Sequence, residues 1–245
     1  MKGAVLAGGF GTRLLPLTRV TNKHLLPVYD KPMIYYPLEM LARAGIGEVI
    51  VVTGVTFAKD FASLLGDGSG LGLQRLEYAY QEGAGGIADA LRLCEKFANG
   101  DSLCVVLGDN ILEDDITPYK HRFEEQPGGA RLLLKDVLDP EHFGVAEISG
   151  DQITNIEEKP AQPKSNYAVI GVYFYDSNVF DHIRAAKPSS RNELEITDVN
   201  NTYIAAGNAY YDILRGWWTD AGRFETLLQA SNLVAKGRGA LLPGR

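Results

Sequence analysis

Three glycines, a threonine and an arginine crowd together after the first apolar stretch of the chain, in Ala7-Gly8-Gly9-Phe10-Gly11-Thr12-Arg13, and Lys23 follows ten residues after Arg13. Glycines let backbone N–H groups approach a phosphate with no Cβ in the way, and arginine adds a planar, permanently charged fork. The set suits a triphosphate. Two familiar phosphate loops are excluded. The dinucleotide pattern G-x-G-x-x-G would need a glycine where Leu14 stands. The Walker loop needs Gly-Lys-Ser/Thr, and here the last glycine is followed by Thr12-Arg13. The glycines alone would serve a plain strand-to-helix turn equally well; the cations beside them carry the anion reading.

Two aspartates close strand-like runs, Asp109 in Leu107-Gly108-Asp109-Asn110 and Asp220 in Trp218-Thr219-Asp220-Ala221. Each alone also suits a helix cap or a turn. On one sheet edge beside a phosphate loop, the pair makes a Mg²⁺ site, because Mg²⁺ takes oxygen ligands and keeps waters and substrate phosphates in its shell. Glu157-Glu158-Lys159-Pro160 reads as a solvated strand end, unless Lys159 points into the same cleft to meet a second anionic substrate. His24, His121, His142 and His182 are scattered with no zinc-ligand spacing, and neither HExxH nor a GxSxG elbow occurs. Tyr35-Tyr36 and Tyr173-Phe174-Tyr175 read as core and sheet face rather than as a stacking platform for bases.

The elements that must position these groups alternate in the first half. Strands are expected over 4–7, 48–53, 76–80 and 103–107, and helices over 33–44, 58–65 and 86–97. Apolar runs alternating with amphipathic helices imply βαβ units and a mostly parallel sheet. Beyond residue 130 the strands crowd together (131–137, 145–148, 152–157, 168–175 and 209–214), with helices over 178–186, 196–206 and 223–235. This predicts a single α/β, Rossmann-like domain over 1–236 with a mixed, mostly parallel central sheet flanked by helices. A flexible tail is expected over 237–245. Ligands of such sheets bind beyond the carboxyl ends of the strands.

The chain has 245 residues and a net charge of −7, which argues against nucleic acid and anionic membranes as partners. An anionic small molecule would need local Arg, Lys or metal. Cys94 and Cys104 lack CxxC neighbours and read as buried thiols of a reducing compartment. With no signal peptide and no apolar run of membrane-spanning length, a cytoplasmic location is expected.

The run Ala7–14, followed by Lys23-His24-Leu25-Leu26-Pro27, resembles the sugar nucleotidyltransferase family, and more narrowly its thymidylyltransferase branch acting on glucose 1-phosphate. Tyr29-Asp30-Lys31-Pro32, Val106-Leu107-Gly108-Asp109-Asn110, Glu157-Glu158-Lys159-Pro160, Glu193-Leu194-Glu195-Ile196-Thr197-Asp198 and Trp218-Thr219-Asp220 follow in the family's order. The resemblance implies attack of glucose 1-phosphate on the α-phosphorus of dTTP, giving dTDP-glucose and diphosphate. It implies that Leu6, Ala7, Gly8, Gly9, Gly11 and Thr12 cradle the nucleotide, that Arg13 holds the leaving diphosphate and that Lys23 neutralises the reacting phosphates. Gln81 and Gly86 would read the pyrimidine, and Asp109 and Asp220 would hold Mg²⁺. Asn110, Gly144, Glu158 and Val169 would contact the sugar, and Lys159 its phosphate. A homo-oligomer, dimer or tetramer, is implied as well.

His24 and Asp89 stand where many members have glutamine, Asn192 replaces a glycine and Ala221 a threonine. Asp89 could face the cleft, cap a helix or face solvent. Longer members carry a C-terminal helical extension linked to assembly and feedback, which is expected to be missing here. UTP or another sugar 1-phosphate would serve the same chemistry. A non-catalytic nucleotide-sugar sensor is the reading of another class, opposed by the full set Arg13, Lys23, Asp109, Lys159 and Asp220.

Overall fold

The computed structural model describes residues 1–189 and 191–239. The first half runs β1 (Lys2–Ala7), a ribbon of β2 (Pro27–Val28) and β3 (Lys31–Pro32), α1 (Tyr35–Arg43), β4 (Glu48–Gly54), α2 (Ala58–Leu65) and β5 (Arg75–Gln81). Then come α3 (Ile87–Arg92), α4 (Glu95–Ala98), β6 (Leu103–Leu107), β7 (Asn110–Leu112) and α5 (Thr117–Glu125). The second half adds β8 (Ala130–Asp136), β9 (Gly144–Ser149), β10 (Gln152–Glu158), β11 (Tyr167–Tyr175) and α6 (Val179–Ala185). It ends with α7 (Ile196–Ala205), β12 (Ala209–Ile213), β13 (Trp218–Asp220) and α8 (Phe224–Gly239).

The continuous apolar runs arise because both faces of the sheet are covered. Along β1, Ala4 and Leu6 enter one core while Val5 and Ala7 enter the other. The same alternation divides Ile50 and Val52 from Val49 and Val51 on β4, and Leu103 and Val105 from Cys104 and Val106 on β6. A side-chain period of two with helices on both sides leaves no polar face to show. A third, smaller core gathers Val28, Met33, Ile111 and Ala221 under Ala230 and Val234 of α8.

The main path of the sheet runs β10-β9-β11-β6-β1-β4-β5, with β8 on β11 and β12 on β8. β6, β1, β4 and β5 are parallel, as is the β8–β12 pair. β11 is antiparallel to β6, β8 and β9 and joins the two halves. This is the expected single α/β domain, with its antiparallel additions in the second half.

Four local expectations change. The helix over 86–97 divides into α3 and α4, because Leu93 and Cys94 bond three residues back, to Ala90 and Leu91, and tighten the backbone there. α5 was not anticipated, since only Tyr119 and Phe123 of its nine residues are buried. Asp220 does not end a strand of the main sheet: β13 pairs only with β7, placing Asp220 opposite Asn110 in a two-stranded ribbon. Finally, α8 continues through 237–239, because Gly237 keeps ordinary negative φ and does not stop the helix; the rest of the expected tail lies outside the described residues.

Candidate active site

The chain leaves β1 for β4 on one side, while β6 lies on the other, so the carboxyl ends of β1 and β6 flank a topological switch point. A cavity of about 740 Å³ opens there. Gly8 follows β1, Gln81 ends β5 and Asp109 comes two residues after β6, and all three line it.

The glycine loop turns through left-handed backbone at Gly11 (φ 61°), whose carbonyl accepts a hydrogen bond from Thr18 Oγ1 at 2.9 Å. Leu14 is buried and anchors the short turn Thr12–Leu14, leaving Arg13 exposed. A Cβ added at Gly222 would lie 3.1 Å from the Arg13 guanidinium and 3.5 Å from Asp109 Oδ2, so the loop cation and the strand carboxylate converge on one point. Lys23 opens the turn Lys23–Leu25, capped by Asn22, whose Oδ1 accepts from the His24 N–H at 2.9 Å. Its Nζ lies 2.5 Å from Asp109 Oδ2. His24 is buried against Gly108, and burial together with the neighbouring Lys23 charge lowers its pKa to about 3, so the ring is neutral.

Asp109 and Asp220 have opposite electrostatic fates. Burial would raise the Asp109 carboxyl, but Lys23 and the hydrogen bonds from Lys23 and Asn110 hold it well below the usual carboxylate range. Asp220 is pushed up to about 6, by burial first and then by the Asp109 charge, against the pull of Arg13, Arg223 and Lys23. Two converging carboxylates, one kept ionised and one resisting ionisation, describe a site that a divalent cation would complete. Among the described residues no group of three or more His, Cys, Asp or Glu side chains is arranged to hold a metal ion, here or elsewhere, so such a cation would rest on this pair and on non-protein oxygens. Asn110 holds the geometry: its Nδ2 donates to Asp109 Oδ1 at 3.1 Å, and its Oδ1 accepts from Gly171 N at 2.9 Å and Trp218 Nε1 at 2.7 Å.

A second cationic group stands at the β10 end, three strands away from β6 along the sheet path. Lys159 takes left-handed backbone (φ 47°) and its Nζ lies 3.0 Å from Glu158 Oε1. Arg191 reaches the same oxygen at 3.4 Å and also pairs with Glu195 at 2.8 Å. Thr197 Oγ1 donates to Glu158 Oε2 at 2.7 Å. Gly144, Val169 and Tyr173 complete this wall. At the β5 end, Gln81 is buried and donates through Nε2 to the Gly86 carbonyl at 3.1 Å and to Asp89 Oδ2 at 2.8 Å.

The fold that builds this crevice is shared with known proteins. The profile described as "Nucleotidyl transferase" matches residues 2–237. The chain belongs to the nucleotidyl transferase family. Within it, the chain is 45% identical over 238 residues to the glucose-1-phosphate thymidylyltransferase of Neisseria meningitidis, covering 96% of this chain and 82% of the relative. A solved structure from Bacillus anthracis, assigned to glucose-1-phosphate thymidylyltransferase and holding sucrose, superposes with a TM-score of 0.92 at 52% identity, covering 95% of this chain and 94% of that one. A UDP-glucose pyrophosphorylase complexed with UDP-glucose superposes with a TM-score of 0.82 at 25% identity, covering 97% of this chain and all of that one. This member of the nucleotidyl transferase family is therefore an enzyme of nucleotidyl transfer to a sugar 1-phosphate.

Most of the residues expected for a nucleotidyl transferase meet in the one cavity: Leu6, Gly8, Gly9, Thr12, Arg13, Lys23, Gln81, Gly86, Asp109, Asn110, Gly144, Glu158, Lys159, Val169 and Asp220 all line it. Ala7 and Gly11 do not. Ala7 is fully buried with its side chain in the core beneath the sheet, and Gly11 sits behind the loop against Thr18 and Lys23. Sequence reasoning missed Arg191, Thr197, Trp218 and Tyr173. The only available signal for the first two was their place in and beside the Glu193–198 motif. Tyr173 was read as core, and its ring does stack on Tyr175 at 5.8 Å, but it also borders the cavity.

Proposed function

We propose that this chain joins dTTP and glucose 1-phosphate to give dTDP-glucose and diphosphate, with Mg²⁺ held by Asp109 and Asp220. The observation that carries this reading is one cavity with two separate cation groups, Arg13 with Lys23 beside the carboxylate pair and Lys159 with Arg191 beside Glu158. One polyanion needs one such group; two reacting polyanions need both. The glycine loop and Arg13 take the triphosphate, with Arg13 on the leaving diphosphate. Lys159 and Arg191 take the sugar phosphate, exchanging Glu158 for it. Asn110, Gly144, Glu158 and Val169 face the sugar, and Gln81 and Gly86 face the pyrimidine.

A phosphate oxygen of glucose 1-phosphate attacks the α-phosphorus; the new P–O bond forms as the bond to the bridging oxygen breaks and diphosphate leaves. The attacking oxygen is already ionised, so no general base is required. The residues act by position and charge, which is most of what phosphoryl chemistry asks of a protein. A unit pair at 4 Å is worth about 4 kcal/mol at an effective dielectric near 20, so each cation matters where two anions meet. A bound Mg²⁺ would neutralise charge on the reacting phosphates. Asp220, raised to about 6 by burial and the Asp109 charge, is the ligand that such a cation would return to full ionisation.

The 45% identity to thymidylyltransferases, against 25% to a uridylyl enzyme, favours dTTP. The two bases differ by one methyl group, worth about 1–3 kcal/mol, so kcat/KM for dTTP and UTP compared side by side measures the preference. The decisive assay is diphosphate release. It is expected from dTTP only when glucose 1-phosphate and Mg²⁺ are both present, and no release with both at saturation refutes the reading. Tight binding of dTDP-glucose without any turnover would support the sensor instead.

A further inference from the structure

Gln81 presents an unusual hydrogen-bonding state for a cavity residue. It is only 5% exposed, and both hydrogens of its amide nitrogen are committed to protein, one to the Gly86 carbonyl at 3.1 Å and one to Asp89 Oδ2 at 2.8 Å. Both partners are acceptors only, so the nitrogen must face them and the amide cannot reverse without setting two oxygens against its own. The other carboxylate oxygen of Asp89 is held by Arg92 at 2.8 Å. Space for the carboxylate comes from Gly85, where a Cβ would lie 2.5 Å from Asp89 Oδ2. Gln81 Oε1 points the opposite way, to within 2.7 Å of where a Cβ on Gly8 would stand, at the head of the phosphate loop.

We infer that Asp89 is a positioning residue that locks the Gln81 amide so that it offers the nucleotide base an acceptor and never a donor. The inference rests on the reading of Gln81 as the pyrimidine contact. A fixed acceptor recognises a base whose ring nitrogen between two carbonyls carries hydrogen, as in thymine and uracil. Cytosine presents a bare ring nitrogen there, and two acceptors would face each other unpaired. A free glutamine would turn over and accept cytosine with its NH₂; a locked one cannot. Asp89 thereby sets which class of base is refused, while it leaves the choice between thymine and uracil to the surroundings of the methyl group.

The test is the ratio of kcat/KM for dTTP over dCTP, measured with glucose 1-phosphate on the same preparation, so that partly unfolded protein cancels. D89A releases one of the two locks and is expected to lower this ratio by about tenfold or more, the loss of one charge-assisted hydrogen bond. R92A leaves the acceptor-only carboxylate of Asp89 on the Gln81 amide and is expected to hold the ratio within about threefold of the original, because Arg92 reaches only the other oxygen. Q81A is expected to collapse the ratio. If Q81A collapses it while D89A leaves it unchanged, the lock is refuted and the base contact survives. If Q81A leaves it unchanged, Gln81 does not read the base and the assignment falls with it.

Discussion

At the scale of single residues, the site separates groups that act by charge from groups that hold them. Arg13 has no other evident duty than to meet an anion, since its turn is anchored by Leu14. R13A is expected to lower kcat by about 10²-fold or more, as loss of one electrostatic stabiliser does; near-normal turnover in a diphosphate-release assay would contradict its role. D109N is expected to lose as much, and for two reasons, since it weakens the proposed metal site and removes the charged partner of Lys23. His24 makes a different prediction. Its folded pKa of about 3 lies below the ordinary 6.5, so the unfolded chain takes the proton first. Its contribution to stability is complete above pH 6.5 and is lost as pH falls from there toward 3. Asp220 works in the opposite sense, because its folded pKa near 6 is above the ordinary 3.8 and the native state binds that proton first. H24Q removes only the first effect. Its melting temperature should fall less between pH 7 and pH 5 than that of the parent chain, and equal falls would show that His24 does not titrate as described.

At the scale of elements, Asn110 is where three strands are tied together. It begins β7, accepts from Gly171 in the middle of β11 and from Trp218 at the start of β13, and steadies Asp109. Gly171 must be glycine for this, since a Cβ there would come within 2.6 Å of Leu107 Cγ. N110A leaves two donors without their acceptor, at about 1–3 kcal/mol each, so urea unfolding should show a stability loss of about 2 kcal/mol or more. An undiminished stability in N110A would mean that these bonds do not hold the strands. How far such elements could be read in advance depends on what covers them. β1, β4 and β6 were legible because both faces are buried and the runs are wholly apolar. α5 was not, because a helix touching the core through Tyr119 and Phe123 alone has too narrow a stripe to stand out. The three-residue strands β7 and β13 have too few residues to show alternation, yet they carry Asn110 and Asp220. The glycine loop, Lys23, Asp109 and Asp220 could be found by residue type, and Lys159 only through the family resemblance. Arg191 could not, because only the folded path of the segment before α7 brings it to Glu158, 33 positions away.

At the scale of the whole molecule, the two thiols report on its unity. Cys94 lies in the core on one side of the sheet and Cys104 in the core on the other, both fully buried. Burial pushes the Cys94 thiol up to about 12 and Cys104 higher still, so neither offers a thiolate at neutral pH. Both should resist a thiol reagent in the native protein and become reactive together in a single denaturant transition. Separate transitions would show that the two layers come apart independently. The two cation groups and Asp109 are mounted on this one sheet and its loops. Asp220 is not. It rides on the β7–β13 ribbon, and the residue after it, Ala221, is packed with Ile111 against Ala230 and Val234 of α8. The jaw opening between the two carboxylates is therefore gauged by the seating of a helix, as a caliper is by its screw. A larger side chain at Ala230, which does not line the cavity, would reset that gap.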